Sequence, residues 1–416
     1  MDKREFIKTS AIGLAGLFYY PTFSRIQPDL FKDSFDDDND EWMNIRKDYD
    51  LPEDFINLEN GYYCIQPKPI LDAYVKHIND VNKLGAKYMR TVQHENKKRV
   101  AAKLAKMAGC GEDELVITRN TTESLDLLIS GYPWKEGDEA IMANQDYGAM
   151  LDMFKQVEKR YGVVNKFLDV PLNPKNDEEI VSLYEKAITL KTKLIMVCHM
   201  INITGQILPI KKICEMAHKH GVEVLVDGAH AFAHIDFSIN DLGCDYYGCS
   251  LHKWLSAPLG VGFMYVNKKH ISKIWPLFAE ENKKQDEIAR LNHTGTIPVH
   301  TDLTIENAID YLSKIGIKNK EARLRHLQNY WVDKVRNNPK IMINTPNDKH
   351  RSCAIANVGI KGIKPSELAD RLLNEFGVYT VAIDGKGVYG CRITPNIYTT
   401  TKELDVFVNA LTKIAS

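Results

Sequence analysis

From about residue 92 onward the chain repeats one cycle: a stretch with helical apolar spacing, a stop, a short apolar run, then another helical stretch. Val100, Ala101, Leu104, Ala105 and Ala108 share one helical face, and Gly109 ends that helix. Apolar runs at 115–118, 140–142, 163–170, 193–198 and 222–226 predict strands, with helices expected at 123–129, 149–161, 178–190 and 210–220. The 193–198 run barely alternates, which is how a strand covered on both faces reads. Strand and helix alternating at intervals near 30 residues imply right-handed crossovers and a mostly parallel sheet, an α/β fold. After residue 300 the texture changes. A helical stretch over 304–335, breakable at Gly316, leads to strands near 353–358 and 390–394 and helices over 365–376 and 402–414. The expected division is a large domain over 57–300 and a smaller α+β domain over 301–416.

Composition narrows the partners. The 416 residues carry 54 Lys plus Arg against 55 Asp plus Glu, so no basic excess points to nucleic acid. Hydrophobic residues at 44% and charged residues at 26% are globular values and exclude wholesale disorder. The eight cysteines form no C-x-x-C pair, so a zinc site or a disulfide framework is not expected, and no metal is assigned. Residues 1–30 put Lys3, Arg4 and Lys8 ahead of an apolar run from Ala11 to Tyr20, too short to span a bilayer. Lys3-Arg4-Glu5-Phe6-Ile7-Lys8 resembles a twin-arginine export signal with Lys at the first arginine, which implies a periplasmic protein without stable membrane anchoring. An amphipathic helix docked on the body of a cytoplasmic protein is the alternative. The acidic run from Asp33 to Glu41 reads as part of a linker or N-terminal arm over 31–56.

In open α/β sheets ligands bind beyond the carboxyl ends of the strands. After 115–118 come Arg119, Asn120, Thr121, Thr122 and Ser124, either an anion seat at a helix start or plain caps by Thr121 or Thr122. Tyr147 follows 140–142, His199 and Asn202 follow 193–198, and Asp227, Gly228, Ala229 and His230 follow 222–226. Lys253 then stands between His252 and Trp254 in an apolar neighbourhood. Burial of such a lysine favours the neutral amine, the form that condenses with an aldehyde. Alone it reads as a solvated surface lysine; its company with an anion seat, an aromatic and a strand-end acid favours the buried one.

Asp227-Gly228-Ala229-His230, followed by Ser250-Leu251-His252-Lys253-Trp254-Leu255-Ser256-Ala257-Pro258-Leu259-Gly260, resembles class V aminotransferase-fold enzymes that use pyridoxal 5'-phosphate (PLP). The pattern looks most like their isopenicillin N epimerase branch, and the similarity runs from about Asn57 to the C-terminus. The resemblance implies fold type I, with a mostly parallel seven-stranded sheet and a smaller C-terminal domain. It implies that Lys253 carries PLP through a Schiff base and shuttles the substrate Cα proton, and that Asp227 sits on the pyridine nitrogen. Asn202 and His230 match contacts to the ring hydroxyl, and Tyr147 the ring-stacking position, with a catalytic share. Thr121, Thr122, Ser250 and His252 match phosphate contacts. Thr296, in His293-Thr294-Gly295-Thr296, matches the turn that reaches the phosphate of a neighbouring subunit, which implies a homodimer. Arg392 matches the fork for the substrate α-carboxylate, with Tyr62 beside the substrate.

The reaction is less sharply marked. The resemblance places a desulfurase's nucleophilic cysteine in a loop some 15 residues before the carboxylate arginine; here residues 378–383 contain none, so sulfur transfer is not expected. Epimerisation needs a second acid or base opposite Lys253, for which Tyr62, Tyr63, Tyr147 and His199 are candidates. The expectation is an aminotransferase or epimerase acting on an amino acid as its small-molecule substrate. A PLP-dependent C–S or other β-lyase and a non-catalytic PLP-fold binding protein are the alternatives.

Overall fold

The computed structural model describes residues 39–416. The signal-like segment 1–30 and the linker before residue 39 lie outside the described residues. In chain order the strands are β1 (Ile56–Asn57), β2 (Leu115–Thr118), β3 (Glu139–Ala143), β4 (Val164–Leu168), β5 (Thr192–Cys198), β6 (Glu223–Asp227), β7 (Tyr246–Ser250) and β8 (Gly262–Val266). Then follow β9 (Ile341–Ile343), β10 (Ala356–Ile360), β11 (Val378–Tyr379), β12 (Val381–Gly385) and β13 (Val388–Ile393).

Seven strands form the main sheet in the order β2-β8-β7-β6-β5-β3-β4. All neighbours are parallel except β8, which runs antiparallel to both β7 and β2. Every residue of β2, β3, β7 and β8 is buried, as expected of strands sandwiched between helical layers. Two apolar clusters lie on the two faces. One is built around Ile195, Val197, Val224 and Val226, the other around Leu194, Met196 and Leu225, as the period-two alternation of side chains requires.

A four-stranded antiparallel sheet, β12-β13-β10-β9, forms the second unit and packs its own core with Trp331, Phe407, Leu368 and Leu372. The long helical stretch breaks where glycine allows it. Helices Val299–Ile315 and Ile317–Val335 meet at Gly316, whose φ of 84° suits a residue without Cβ. The first of these helices packs against helices Lys68–Leu84 and Gln93–Ala108 of the large unit. The end of the acidic run differs from a linker. Asp40 and Glu41 open the helix Asp40–Arg46, capped by Asn39, and Trp42 is buried. Arg46 closes the contact by pairing with Glu403 at 2.8 Å. Among the described residues no helix is long and apolar enough to cross a membrane.

Candidate active site

The carboxyl ends of β2, β5, β6 and β7 converge on one cluster. Helix Thr121–Gly131 starts at the end of β2, and its N-cap is Asn120, whose side chain accepts from Glu123 N–H at 2.9 Å. Thr121 and Thr122 are therefore not the cap, which leaves the Thr121 hydroxyl free for another partner. That partner is Ser250, at the end of β7: its Oγ accepts from Thr121 N–H at 2.8 Å and lies 2.7 Å from Thr121 Oγ1. Close approach is what makes this possible. A Cβ on Gly262 would stand 2.4 Å from the Cys249 carbonyl oxygen and 2.7 Å from the Asn120 Cα, so only glycine lets the helix start lie against β8. Next to Ser250, the Nδ1 of His252 is buried without a hydrogen-bond partner. Burial, and then Lys253, push its imidazole down to about 4, so it is neutral at pH 7.

Lys253 lies deeper. Its Nζ is 3.1 Å from His230 Nε2, and Trp254 Nε1–H points to His230 Nδ1 at 3.4 Å. With Nδ1 accepting from the indole, Nε2 carries the ring proton and donates toward Lys253, which suits a neutral amine. Burial lowers the lysine's proton affinity; Asp227 opposes this, and Arg392 reinforces it. Trp254 is held from below, because Lys320 Nζ donates to its carbonyl oxygen. Lys320 is itself a buried amine, pushed down to about 8 by burial.

Asp227 ends β6 and is 4% exposed. Its carboxylate accepts from Ala229 N–H at 3.0 Å, with Cys198 Sγ at 4.0 Å, and burial raises its proton affinity. A buried carboxylate so thinly partnered calls for a cationic hydrogen-bond donor. PLP fits this donor set: a pyridinium for Asp227, a phosphate for Thr121, Ser250 and the unpartnered His252 nitrogen, and an aldehyde carbon for Lys253. Arg392, 7% exposed on β13, donates to the Asn202 carbonyl oxygen at 3.3 Å and forks onto Glu59, with Nη2–Oε1 at 2.5 Å and Nε–Oε2 at 3.2 Å.

Not every expected residue joins this cluster. Tyr147, 46% exposed, forms the N-terminal boundary of helix Gly148–Tyr161, and Tyr62 is 76% exposed; neither side chain has a recorded bond to the others. Thr296 is exposed on the loop before helix Val299–Ile315. His199 is sealed in the core, edge-on to Phe237 and 3.5 Å from the Tyr247 hydroxyl, and burial pushes it down to about 3. That removes it from the candidates for a second acid. Two residues escaped the sequence reading. Glu59 is one. Gly61 is the other: a Cβ there would stand 2.7 Å from Arg392 Cζ, so its backbone lies flat against the guanidinium. Their signal was the Glu59-Asn60-Gly61 run just after β1, which has no periodicity of its own.

Residues 64–407 match the model of the family described as aminotransferase class-V. Isopenicillin N epimerase of Streptomyces clavuligerus is 26% identical over 325 residues, covering 74% of this chain and 82% of the relative. A probable cysteine desulfurase of Halalkalibacterium halodurans is 27% identical over 312 residues, covering 72% and 75%. Relatives of both kinds thus stand at similar identity. Among solved structures, apo cysteine desulfurase from Thermococcus onnurineus superposes with a TM-score of 0.79 at 19% identity, covering 89% of this chain and 97% of that one. The cystine C–S lyase C-DES, in complex with its product cysteine persulfide, gives 0.80 at 18%, covering 86% and 97%. These likenesses carry the fold, which is fold type I with a large mixed-sheet domain and a smaller α+β domain. With a matched segment that takes in Thr121, Asp227, Lys253 and Arg392 alike, the chain belongs to the class-V aminotransferases, enzymes that work with PLP.

Proposed function

We propose that this chain removes the Cα proton of an amino-acid substrate, with Lys253 as the residue that carries PLP and moves that proton, and that the outcome is transamination or epimerisation. The observation that carries the reading is the setting of Lys253: a half-buried amine of lowered basicity, 3.1 Å from His230, within the electrostatic reach of Asp227 and Arg392. PLP, when bound, supplies an electron sink for the pair left on the α-carbon. The chain's own residues do the rest. Asp227 holds a proton on the ring nitrogen, and His230 orients the lysine amine. Thr121, Thr122, Ser250 and His252 anchor the phosphate, while Asn202 borders the ring and Tyr147 covers it. Arg392 fixes the α-carboxylate, with Tyr62 at the mouth, and the amine of Lys253 accepts and returns the proton at Cα.

Cysteine chemistry fits less well. All eight cysteines are free and seven are buried; Cys110, partly buried, is pushed up to about 12 by burial. Cys64, which senses Lys253, is likewise pushed up to about 12 by burial. Residues 378–385 run through β11 and β12 and carry no cysteine. With the loop cysteine absent, epimerisation is the relatives' chemistry that stays open to this chain, one of them being an isopenicillin N epimerase at 26% identity; Tyr62, Tyr63 and Tyr147 are the remaining candidates for its second acid. The test is incubation with an amino-acid panel in deuterated water. Deuterium at Cα with inverted configuration marks an epimerase and a keto acid marks an aminotransferase. Sulfide, ammonia or alanine as the released product would reject both in favour of a lyase or desulfurase. Absence of any product or exchange would leave a binding protein.

The same reading takes the active unit as a homodimer and the site of action as the periplasm. Exposed Thr296 supports the first, as do Trp275 and Phe278, 72% and 51% exposed after β8. Lys3-Arg4 ahead of the apolar run supports the second.

A further inference from the structure

The arginine that the proposed function assigns to the substrate already grips a carboxylate. Glu59 lies across the Arg392 fork at 2.5 and 3.2 Å, and the two side chains are only 6% and 8% exposed. This two-point geometry is the one an α-carboxylate needs. Charge decides the consequence. A second carboxylate brought beside an intact buried pair would remain uncompensated, so ligand and Glu59 exclude each other. The backbone on either side of Glu59 is pinned. Thr394 N–H donates to the Leu58 carbonyl at 2.8 Å, Asn60 N–H donates to Thr394 Oγ1 at 2.5 Å, and Asn60 Nδ2 donates to the Thr394 carbonyl at 2.8 Å. What is left to move is the Glu59 side chain, whose Oε1 also accepts from Tyr62 N–H at 2.9 Å. Gly61, flat against the guanidinium, keeps Arg392 in place while that side chain leaves.

We propose that Glu59 is a displaceable occupant of the Arg392 fork, so that the α-carboxylate of the substrate binds by expelling it. This rests on the reading of Arg392 as the carboxylate anchor. Glu59 then sets affinity and specificity: it lowers the apparent affinity for every carboxylate ligand and leaves amines without a carboxylate unaffected.

The test uses PLP-loaded protein and two probes, 2-methylalanine, which has no Cα proton to lose, and isopropylamine, the same skeleton without the carboxylate. Binding is followed by the visible absorption of the bound PLP. Glu59→Gln keeps the hydrogen-bonding shape and removes the charge. It is expected to bind 2-methylalanine about tenfold more tightly than wild type and isopropylamine within about twofold. In wild-type protein, saturating 2-methylalanine should also speed hydrogen exchange at the Tyr62 amide, which loses its acceptor. If Glu59→Gln binds 2-methylalanine equally or more weakly while Arg392→Ala loses it, Glu59 orients the arginine and the inference is overturned with the function intact. If Arg392→Ala binds 2-methylalanine as wild type does, the anchor reading and the inference fall together. Should Glu59→Gln not fold, unchanged Tyr62 exchange in the wild type overturns the inference by itself.

Discussion

A single methyl group separates Gly61 from a working arginine. Its Cβ would meet Cζ, Nη2 and Nε of Arg392 between 2.7 and 3.0 Å, so Gly61→Ala must push the guanidinium off its station. Displacement of that order in a substrate-positioning group raises KM for amino acids by roughly tenfold to a hundredfold, with PLP absorption unchanged. Steady-state kinetics beside a spectrum checks both halves. Asp227→Asn is expected to keep the cofactor but lose its control of the ring proton, lowering kcat by roughly a hundredfold or more. Equal rates in the two proteins would remove Asp227 from the chemistry. At this scale the sequence is uneven. Thr121 and His230 could be read because each follows a strand end that the alternation had already placed, and Ser250 and Lys253 through the Ser250-Leu251-His252-Lys253-Trp254 motif. Glu59 could not, because its partner Arg392 is 333 residues away and neither residue type is rare.

Elements were most legible where composition punctuates them. The helix expected over 365–376 is the helix Pro365–Phe376, opened by proline and ended by Gly377 in the left-handed region. Strand β8 went unread: Gly262–Val266 follows a proline- and glycine-rich stretch and runs antiparallel in an otherwise parallel series, so the thirty-residue rhythm gives no warning of it. Yet β8 carries Gly262, against which the start of helix Thr121–Gly131 rests. Gly262→Ala should push back the start of helix Thr121–Gly131 and weaken PLP retention on dialysis, since its Cβ would meet Asn120 backbone atoms at 2.7 and 2.9 Å.

Another element-scale prediction concerns pH. Asp302, in the first turn of helix Val299–Ile315, is 6% exposed with an unpartnered Oδ2, and burial raises its carboxyl to about 6. Between about pH 4 and 6 the folded chain therefore binds more protons than the unfolded one, and wild-type stability falls as pH rises through that window. Asp302→Asn does not titrate. It should gain on wild type as pH rises, reaching roughly 2–3 kcal/mol above about pH 7, with little advantage near pH 4. Denaturant midpoints at the two pH values measure this; a pH-independent difference would contradict it.

For the whole molecule, near-neutral net charge and a parallel sheet were enough to direct attention to strand ends instead of a charged surface. The second sheet was harder. β12 pairs with β13 through a hairpin turn at Lys386 and Gly387, and glycines at 385, 387 and 390 cut its apolar residues into runs too short to stand out as strands. Assembly has its own test. In the homodimer proposed here, Thr296→Ala should weaken PLP binding although the residue is exposed in its own chain, and light scattering should report twice the chain mass. A monomer that binds PLP normally would refute that arrangement.

The proposed chemistry turns on which amine carries the cofactor. Besides half-buried Lys253, its basicity lowered in the neighbourhood of Asp227, the fold buries Lys320, bonded to the Trp254 carbonyl and lowered likewise. Borohydride reduction of PLP-loaded protein, followed by peptide mass spectrometry, fixes the cofactor on the lysine that holds it. The account predicts the phosphopyridoxyl group on Lys253, and loss of the visible band in Lys253→Ala. The group on Lys320 or elsewhere, or a band that survives Lys253→Ala, would contradict it.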